Sequence, residues 1–496
     1  MMEQEQLNEI LEKEAAKAYF IGIGGIAMSA AACVAKEFGL IVEGSDSKEM
    51  YSPAKEVLNK AKLNVHAGYD AENVKKSGAD LFILSAGEGP QNPEVNYVLQ
   101  NNLPRIGFPE LLFKIAEEKL RLVVTGTHGK TTTAGLLGHI LKNLDDSSFI
   151  TGGVIRNYEK NFSVGDGHYF VFEGDEYKTE FDDPTPKFHY YRPDILVLTN
   201  LEYDHPDIFS SLGELENEFA QLISNLPEDG LLVYNADNAA LARLVHNTEV
   251  AKVSFAIDNE ADYKVEQIKY GKEYTSFEVA NKFSKNISAQ LLGQTEEYKI
   301  QLPGKMNVYN ALGAIAALRA LGFSQEDIQL DLLSFQGVKR RFENIGVKKG
   351  VTLIDDYAHH PTAVRETLDA ARLRYPNSSI WAIFEPHTFS RTKATLSELA
   401  TAFDSADNVL ISDIYPAREK ASEATISAKD VIEAIRSSSS VFSKEGVRES
   451  SKNVGLVHNK QEALEILIRE RKDGDVAVIM AVGDFNRLAY ELKEKL

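Results

Sequence analysis

The chain has 496 residues, 43% of them hydrophobic, and a formal net charge of −20 at pH 7. Its length suggests roughly three domains, and so acidic a chain is a poor candidate for binding nucleic acid or anionic membranes. The single cysteine, Cys33, excludes an intramolecular disulfide bond and favours a reducing compartment. The charged N-terminus and the short apolar runs lead us to expect a cytoplasmic protein without nucleic-acid partners or membrane insertion. Composition leaves the oligomeric state open.

A dinucleotide-type glycine pattern follows the first predicted strand. That strand covers residues 18–23, a helix is predicted over 27–38, and the next strand covers 40–43. The pattern has Gly22, Gly24 and Ala27 at its three fixed positions, and the acidic residue Asp46 follows about 20 positions later. This spacing is typical of a Rossmann-like unit that places a diphosphate on a helix N-terminus. It does not identify the nucleotide, and a close strand–helix turn without a ligand would also produce it.

A second glycine turn lies between an apolar run at 122–124 and an amphipathic helical pattern. It consists of Gly126, Thr127, His128, Gly129, Lys130, Thr131 and Thr132. Glycines let backbone N–H groups approach phosphate oxygens, and the following helix N-terminus adds positive potential. Lys130 can reach terminal phosphates, and the Thr131 hydroxyl can bind Mg²⁺. The match is incomplete because Val124 stands where the common pattern has Gly.

Acidic groups follow two further predicted strands. Glu173 comes directly after the strand at 169–172, and Asp204 and His205 come shortly after the strand at 195–198. Because the carboxyl ends of parallel strands face one crevice, these side chains are candidates for a metal beside the phosphate loop. Histidine is an unusual ligand for Mg²⁺, which prefers oxygen. A solvated acidic loop is the alternative.

A third α/β domain is predicted from residue 331, after a connection at 322–329. Its predicted strands are the apolar runs at 351–354, 380–384, 409–411 and 476–479. Asp356 and the pair His359-His360 follow its first strand, and Arg391 lies after the next. Two histidines could indicate zinc, but the ligand spacing does not fit a structural site, so we interpret this motif as a nucleotide or phosphate contact. Arg391 could hold a carboxylate in a two-point geometry. A surface salt bridge is the alternative.

Five motifs in this order resemble those of the Mur ligase family, the ATP-dependent amide-bond ligases of peptidoglycan assembly. They are residues 126–131, 200–205, 304–310, 338–342 and 356–361. The resemblance implies an α/β fold of three domains. These are a Rossmann-like domain over 1–117, a central P-loop ATPase domain over 118–330 and a C-terminal Rossmann-like domain over 331–496.

The resemblance also implies a role for each domain. The first would bind the UDP of UDP-N-acetylmuramate through Gly22, Gly24, Gly25, Ser45 and Asp46. ATP would contact Gly126, Thr127, His128, Gly129, Lys130, Thr131, Thr132, Asn310, Arg341 and Asp356. Mg²⁺ would be held by Thr131, Glu173 and His205; Lys130, Glu173 and His205 would be catalytic; and Arg391 would bind the incoming amine.

Two positions depart from patterns within the family. Many members have His where this chain has Met306, so an adenine-side contact there is unsupported. Several relatives carry a carbamylated lysine after the Asp-His pair, whereas no lysine occurs here between Lys187 and Lys252. The second departure fits the members that act directly on UDP-N-acetylmuramate.

The amine substrate has two candidates among those members. Residues 385–392 and 413–420 resemble the members that add L-alanine. Residues 173–177, 186–193 and 358–367 resemble the members that attach the murein tripeptide L-alanyl-γ-D-glutamyl-meso-diaminopimelate during recycling. Because the third domain selects the amine in this family, we give its later motifs more weight and expect L-alanine.

The implied reaction joins the lactyl carboxylate of UDP-N-acetylmuramate to that amine through an acyl phosphate. His205 or a nearby carboxylate is a candidate to assist loss of the amine proton, and the sequence leaves the general base open. A nicotinamide-dependent oxidoreductase is the alternative from another class, although it leaves the Lys130 loop unexplained. A catalytically silent nucleotide-binding regulator is a further alternative.

Overall fold

The computed structural model describes the chain except residues 1–3, 48–49, 51–53, 205–207, 283–292, 418, 421, 423, 439–452 and 496. Three separate sheets form within the described residues, each built largely of parallel strands and packed against helices. Parallel strands that are covered on both faces carry continuous apolar runs, as the predicted strands do. No helix in the described part combines the length and apolarity needed to cross a bilayer.

The first sheet has five parallel strands in the order β3-β2-β1-β4-β5. The strands are β1 (Lys17–Ile21), β2 (Ile41–Asp46), β3 (Asn64–Ala67), β4 (Leu81–Leu84) and β5 (Arg105–Gly107). The helices are α1 (Gln4–Leu11), α2 (Ile26–Glu37), α3 (Ala54–Lys60), α4 (Ala71–Ser77), α5 (Pro93–Gln100) and α6 (Phe108–Ile115). The predicted strand–glycine turn–helix unit is therefore present as β1 and α2, and β1 lies at the centre of the sheet.

The middle sheet has ten strands in the order β15-β14-β13-β12-β11-β10-β6-β9-β7-β8. The strands are β6 (Leu120–Thr125), β7 (Ser148–Ile155), β8 (Lys160–Ser163), β9 (Tyr169–Glu173), β10 (Ile195–Leu198), β11 (Leu231–Asn235), β12 (Ala251–Ala256), β13 (Tyr263–Tyr270), β14 (Thr275–Asn281) and β15 (Thr295–Ile300). The helices are α7 (Lys130–Asp145), α8 (Lys187–Tyr190), α9 (Leu212–Ser224), α10 (Ala239–Leu244), α11 (Lys305–Ala320) and α12 (Gln325–Ser334). Strand β6 pairs in parallel with β9 and β10, so the carboxyl ends of these three strands lie side by side.

The third sheet has six strands in the order β16-β17-β21-β18-β19-β20, with β16 antiparallel at one edge. The strands are β16 (Glu343–Lys348), β17 (Val351–Asp356), β18 (Ile380–Phe384), β19 (Asn408–Ser412), β20 (Asn453–Val457) and β21 (Val476–Met480). The helices are α13 (Pro361–Arg374), α14 (Phe389–Ala394), α15 (Leu396–Ala402), α16 (Ala428–Ser438), α17 (Lys460–Glu470) and α18 (Leu488–Lys495). Strands β17, β18, β19 and β21 were each predicted from their apolar runs.

Helix α12 corrects the prediction of a connection at 322–329. Its first turn has a capping box, in which Asp327 N donates to the Ser324 hydroxyl (3.1 Å) and Ser324 N donates back to Asp327 (3.3 Å). Ile328 and Leu332 are buried in the core of the middle sheet. This helix has few apolar residues, and the residues around them are polar. The sequence pattern therefore did not indicate a helix with one apolar face.

The position of α12 also bears on where the third domain begins. The predicted boundary at 330/331 falls inside this helix, and Val338 is still buried in the middle core. Strand β16 then starts the third sheet at Glu343. We therefore propose a boundary between Val338 and Glu343, and we retain the first boundary in the short interval between α6 and β6.

A buried ion pair connects α11 to the antiparallel extension of the middle sheet. Arg319 Nη2 lies 2.7 Å from Glu296 Oε1, and the two side chains are 5% and 9% exposed. The Tyr298 hydroxyl donates to the other oxygen of Glu296 at 2.7 Å. The carboxylate thus balances a guanidinium that is shielded from water.

We expect Glu296→Ala to lower the free energy of unfolding by about 3–5 kcal/mol, because it leaves the Arg319 charge buried without a partner. Glu297→Ala is the matched control, since Glu297 is exposed and pairs with exposed Lys299. We expect the control to change stability by less than about 1 kcal/mol. Urea unfolding followed by circular dichroism measures both, and equal effects would contradict a special role for the buried pair.

Candidate active site

The phosphate-type loop lies at the carboxyl end of β6, between the ends of β9 and β10. Gly126 and Gly129 have φ angles of +135° and +82°, which side-chain-bearing residues rarely adopt. A Cβ atom at Gly126 would collide with Thr199, and one at Gly129 would collide with the Asn310 amide oxygen. Both glycines are therefore required by backbone conformation and by space.

The segment after β10 holds this loop in place. His128 N donates to Asn200 Oδ1 (2.7 Å), and Asn200 Nδ2 donates to His128 O (2.9 Å). The Thr127 hydroxyl accepts from Glu202 N (2.8 Å) and donates to Glu202 O (3.0 Å). The side chains of Thr127 and Asn200 therefore fix the loop to the neighbouring strand end.

Lys130 is buried at the mouth of the loop and already has partners. Its Nζ donates to Gly126 O (2.6 Å) and lies 3.0 Å from a carboxylate oxygen of Glu176. Burial acts to lower the pKa of Lys130, but the carboxylates of Glu176, Glu173 and Asp175 together outweigh it and hold that pKa above its usual value. Lys130 is therefore cationic, and a phosphate bound here would compete with Glu176. Of the acidic residues after β9, the sequence favoured Glu173 and gave no indication of this pairing.

Thr131 and Glu173 form an oxygen-rich pair beside the loop. The Thr131 hydroxyl donates to Glu173 Oε1 (2.7 Å), and Gly152 N donates to Glu173 Oε2 (2.5 Å). A hydroxyl and a carboxylate are hard oxygen donors, the kind that Mg²⁺ selects. The structure thus brings together two of the three predicted metal ligands. The third, His205, lies outside the described residues.

The third domain reaches the loop through the turn before β16. Arg341 Nη2 donates to the Thr131 hydroxyl at 3.4 Å. The Asp356 carboxylate accepts from the backbone N–H groups of Phe342 (2.6 Å) and Ala358 (2.7 Å). Burial raises the pKa of Asp356, and Arg341 opposes that rise. Arg341 is thus placed beside the phosphate-type loop, whereas Asp356 holds the turn that carries it.

The segment predicted to contact adenine lies behind the loop. Asn310 is 8% exposed, its amide oxygen accepts from Thr133 (3.4 Å), and its amide nitrogen donates to Asn307 (3.1 Å). Met306 packs against the hydrophobic core of the third domain. In this arrangement Asn310 supports Gly129, and Met306 connects two domains. An adenine contact by Asn310 remains a prediction.

The Arg391 side chain lies at the contact between the third and middle domains. It is 5% exposed, its Nε and Nη2 lie 3.0 and 2.9 Å from Asp204 Oδ1, and its Nη1 lies 2.8 Å from His387 Nδ1. Asp204 follows β10 of the middle sheet, so this pair joins the second and third domains. The alternative interpretation of Arg391 as part of a surface salt bridge is wrong, because its pair with Asp204 is buried. An amine donor's carboxylate would have to share or replace Asp204.

The N-terminal glycine turn is organised around two carboxylates. Gly24 N donates to Asp46 Oδ2 (2.6 Å), and Gly25 caps the N-terminus of α2. Gly22 has φ +81°, and its N–H donates to Ser45 O (2.9 Å). Ser45 is fully buried, and its hydroxyl donates to Glu94. Its side chain therefore supports the turn, and a contact of Ser45 with a ligand remains a prediction.

Three family models match the chain. The "Mur ligase family, catalytic domain" covers residues 17–120, the "Mur ligase middle domain" covers 124–318, and the "Mur ligase, glutamate ligase domain" covers 340–483. The chain is 35% identical to the UDP-N-acetylmuramate–L-alanine ligase of Clostridium acetobutylicum over 94% of its length and 95% of the relative. It is also 35% identical to the ligase of the same name from Caldanaerobacter subterraneus subsp. tengcongensis, over 96% of each chain.

Two solved structures of full-length similarity bear on the fold. The UDP-N-acetylmuramate–alanine ligase of Thermotoga maritima matches with a TM-score of 0.77 and 25% identity, over 97% of this chain and 98% of that one. A murein peptide ligase from Psychrobacter arcticus matches with a TM-score of 0.69 and 27% identity, over 96% and 98%. The predicted three-domain α/β fold is confirmed.

We expect Gly129→Ala to weaken nucleotide-dependent turnover by about 100-fold, because the new Cβ would push against Asn310 and distort the loop. Gly322→Ala is the matched control, since Gly322 also has a positive φ (+94°) but an added Cβ there would meet no atom within 4 Å. The control should lose only about 1–2 kcal/mol of stability. Turnover and the binding of a non-hydrolysable ATP analogue distinguish damage to the nucleotide site from a loss of stability. Unchanged binding of the analogue by Gly129→Ala would show that the loop is not part of the nucleotide site.

Proposed function

The chain belongs to the Mur ligase family and is an ATP-dependent amide-forming ligase; from this premise we propose that it joins UDP-N-acetylmuramate to L-alanine in the cytoplasm. One observation carries the proposal. The segment after β10 holds the phosphate loop, and its carboxylates Glu202 and Asp204 contact Thr362 and Arg391 of the third domain. A nucleotide at the loop and an amine at the third domain would therefore share one cleft.

This identification removes one alternative for the first domain. A nicotinamide-dependent oxidoreductase was compatible with the glycine turn after β1 but left the Lys130 loop without a function. That interpretation is wrong, because the whole chain matches an amide-ligase family. We propose instead that the turn at Gly22, Gly24 and Gly25 receives the UDP part of the sugar substrate.

The phosphate loop would activate the carboxylate substrate. An ionised carboxylate cannot lose oxide, so a lactyl oxygen first attacks the γ-phosphorus of ATP and releases ADP, which gives an acyl phosphate. Lys130 and Arg341 would stabilise the charge on the transferring phosphoryl group. Thr131 and Glu173 fit Mg²⁺ by their donor atoms, and His205 is a third proposed ligand. Mg²⁺ there would supply further neutralisation of phosphate charge.

The second step forms the amide bond. The neutral amine attacks the acyl carbon, the carbon–oxygen bond to phosphate breaks, and inorganic phosphate leaves with the electron pair. The amine loses one proton to a base, for which the described residues offer several carboxylates near the cleft. The reaction as a whole consumes ATP and yields ADP, phosphate and one amide.

The choice of L-alanine over the murein tripeptide rests on the relatives and on the third domain. Relatives at 35% identity over nearly the full chain carry the L-alanine name, and the structure of an alanine ligase matches with the higher TM-score of the two compared. Arg391 lies just after β18, where it could receive an α-carboxylate. The tripeptide remains the second candidate, because a murein peptide ligase also matches over nearly the whole chain.

We expect Lys130→Ala to reduce turnover by at least about 100-fold, since it removes a central positive charge from the phosphate loop. Affinity for UDP-N-acetylmuramate should stay unchanged, because that substrate is assigned to another domain. Lys142→Ala is the control, as Lys142 lies on the same helix and pairs with exposed Asp146. Phosphate release is measured with ATP, UDP-N-acetylmuramate and either L-alanine or tripeptide. Near-normal ligation by Lys130→Ala would contradict the proposed role of the loop.

We expect Arg391→Lys to raise the KM for L-alanine by about 10- to 100-fold, with smaller effects on the other substrates. Lysine keeps the charge but loses the planar two-point geometry that matches a carboxylate. Steady-state kinetics with each substrate varied in turn measures the change.

Asp204→Asn separates this role from a loss of domain contact. It weakens the same interdomain pair but leaves the guanidinium available, so the KM for L-alanine should not rise. An equal rise in both variants would show that Arg391 only joins the domains. Activity with the tripeptide and none with L-alanine would overturn the substrate choice while leaving the ligase reaction intact.

A further inference from the structure

Three side chains from separate parts of the chain meet at the boundary between the middle and third domains. His128 lies in the phosphate loop, Glu202 follows β10, and His360 lies at the start of α13. One potential ligand atom from each lies within 4.8 Å of the other two. His128 Nε2 is 3.3 Å from Glu202 Oε2, and the two imidazole rings are 4.9 Å apart between centroids. We call these residues the histidine–glutamate cluster.

The surroundings keep two members of this cluster deprotonated near pH 7. A hydrogen bond from His128 outweighs burial and lowers the pKa of Glu202 to about 2. Burial and the neighbouring His128 lower the pKa of His360 to about 4. Metal ions bind the carboxylate and neutral imidazole forms of these residues. A metal ion held by these residues would take the place of the hydrogen bond between His128 Nε2 and Glu202 Oε2.

We propose that the histidine–glutamate cluster binds a borderline divalent metal ion such as Zn²⁺, through side chains other than those proposed to hold Mg²⁺. Two imidazoles and one carboxylate suit Zn²⁺, Co²⁺ or Ni²⁺, whereas Mg²⁺ prefers oxygen ligands. Three protein ligands leave a fourth position for water. The ion would join the phosphate loop directly to the third domain.

The local hydrogen bonds define what metal binding must change. Thr362 N donates to His360 Nδ1 at a long 3.3 Å, as the cap of α13, and the Thr362 hydroxyl donates to Glu202 Oε2 at 2.9 Å. Coordination through His360 Nε2 would place the ring proton on Nδ1 and end this cap bond. The helix would then lose one weak hydrogen bond and gain a metal–imidazole bond at the same residue. The hydroxyl of Thr362 would remain able to orient Glu202.

Sequence spacing could not reveal this cluster. The adjacent residues His359 and His360 suggest a local metal site, but their two rings contact different neighbours. His359 Nδ1 donates to Tyr357 O (2.9 Å), whereas His360 turns toward His128 and Glu202. The three cluster residues are far apart in the chain and meet only because the third domain packs on the phosphate loop.

Zn²⁺ binding to the full-length protein tests the proposal without nucleotide or sugar substrate. The nucleotide-free protein is titrated with Zn²⁺ in competition with a chromophoric chelator, in the presence of excess Mg²⁺. We expect one tight site in the wild type. His360→Asn should weaken binding by at least about 10-fold, as should Glu202→Gln, because each removes a ligand. Asparagine keeps a helix-capping acceptor, and circular dichroism checks the fold.

His168→Asn is the matched control, because His168 is exposed and lies beside Asp145 on another face. It should leave the tight site unchanged. Co²⁺ should also give the visible absorption of a four- or five-coordinate ion in the wild type and lose it in His360→Asn. Unchanged Zn²⁺ affinity in both cluster variants would overturn the proposal. So would loss of binding in Glu173→Gln with retention in His360→Asn, which would place Zn²⁺ at the Mg²⁺ position.

Discussion

The close fit between the phosphate loop and the segment after β10 is the constraint on which the site depends. Gly126 leaves no room for a Cβ beside Thr199, and both backbone groups of His128 are held by the Asn200 side chain. A shift of β10 would therefore move the loop with it. The same segment extends to Glu202 and Asp204, which contact the third domain. Loop geometry and domain arrangement are thus set by one stretch of chain.

Two cationic groups of the cleft are each paired with a carboxylate of the protein. Lys130 lies against Glu176, and Arg391 lies against Asp204. Both pairs are largely buried, so separating them without a replacement anion is costly. In the proposed reaction, a phosphate at Lys130 or a substrate carboxylate at Arg391 would supply that replacement. The protein carboxylate would then be free to contact a metal ion or an ammonium group.

The sequence predicted the parts of this arrangement that depend on local order. The strand–turn–helix units around Gly24 and Lys130, and the parallel strands β17, β18 and β21, follow from apolar runs and glycine positions. The pairing of Thr131 with Glu173 could be anticipated because neighbouring strand ends meet at one edge of a sheet. Helix α12 was missed because its apolar stripe is short. The hydrogen bond from the buried Ser45 hydroxyl to Glu94 was not foreseen, because a position in a sequence motif does not tell which way a side chain points.

Contacts between domains could not be predicted from the sequence. Arg391 was expected to be available to a substrate, yet Asp204 from another sheet is its partner. Met306, where the resemblance led us to expect His, packs against the third-domain core and so contributes to domain packing. Both residues lie where the third domain meets the middle one. An amine bound at Arg391, as we propose, would lie where these two domains meet. Motifs that each lie in one domain do not describe such a site, and this is consistent with their having favoured two different amines.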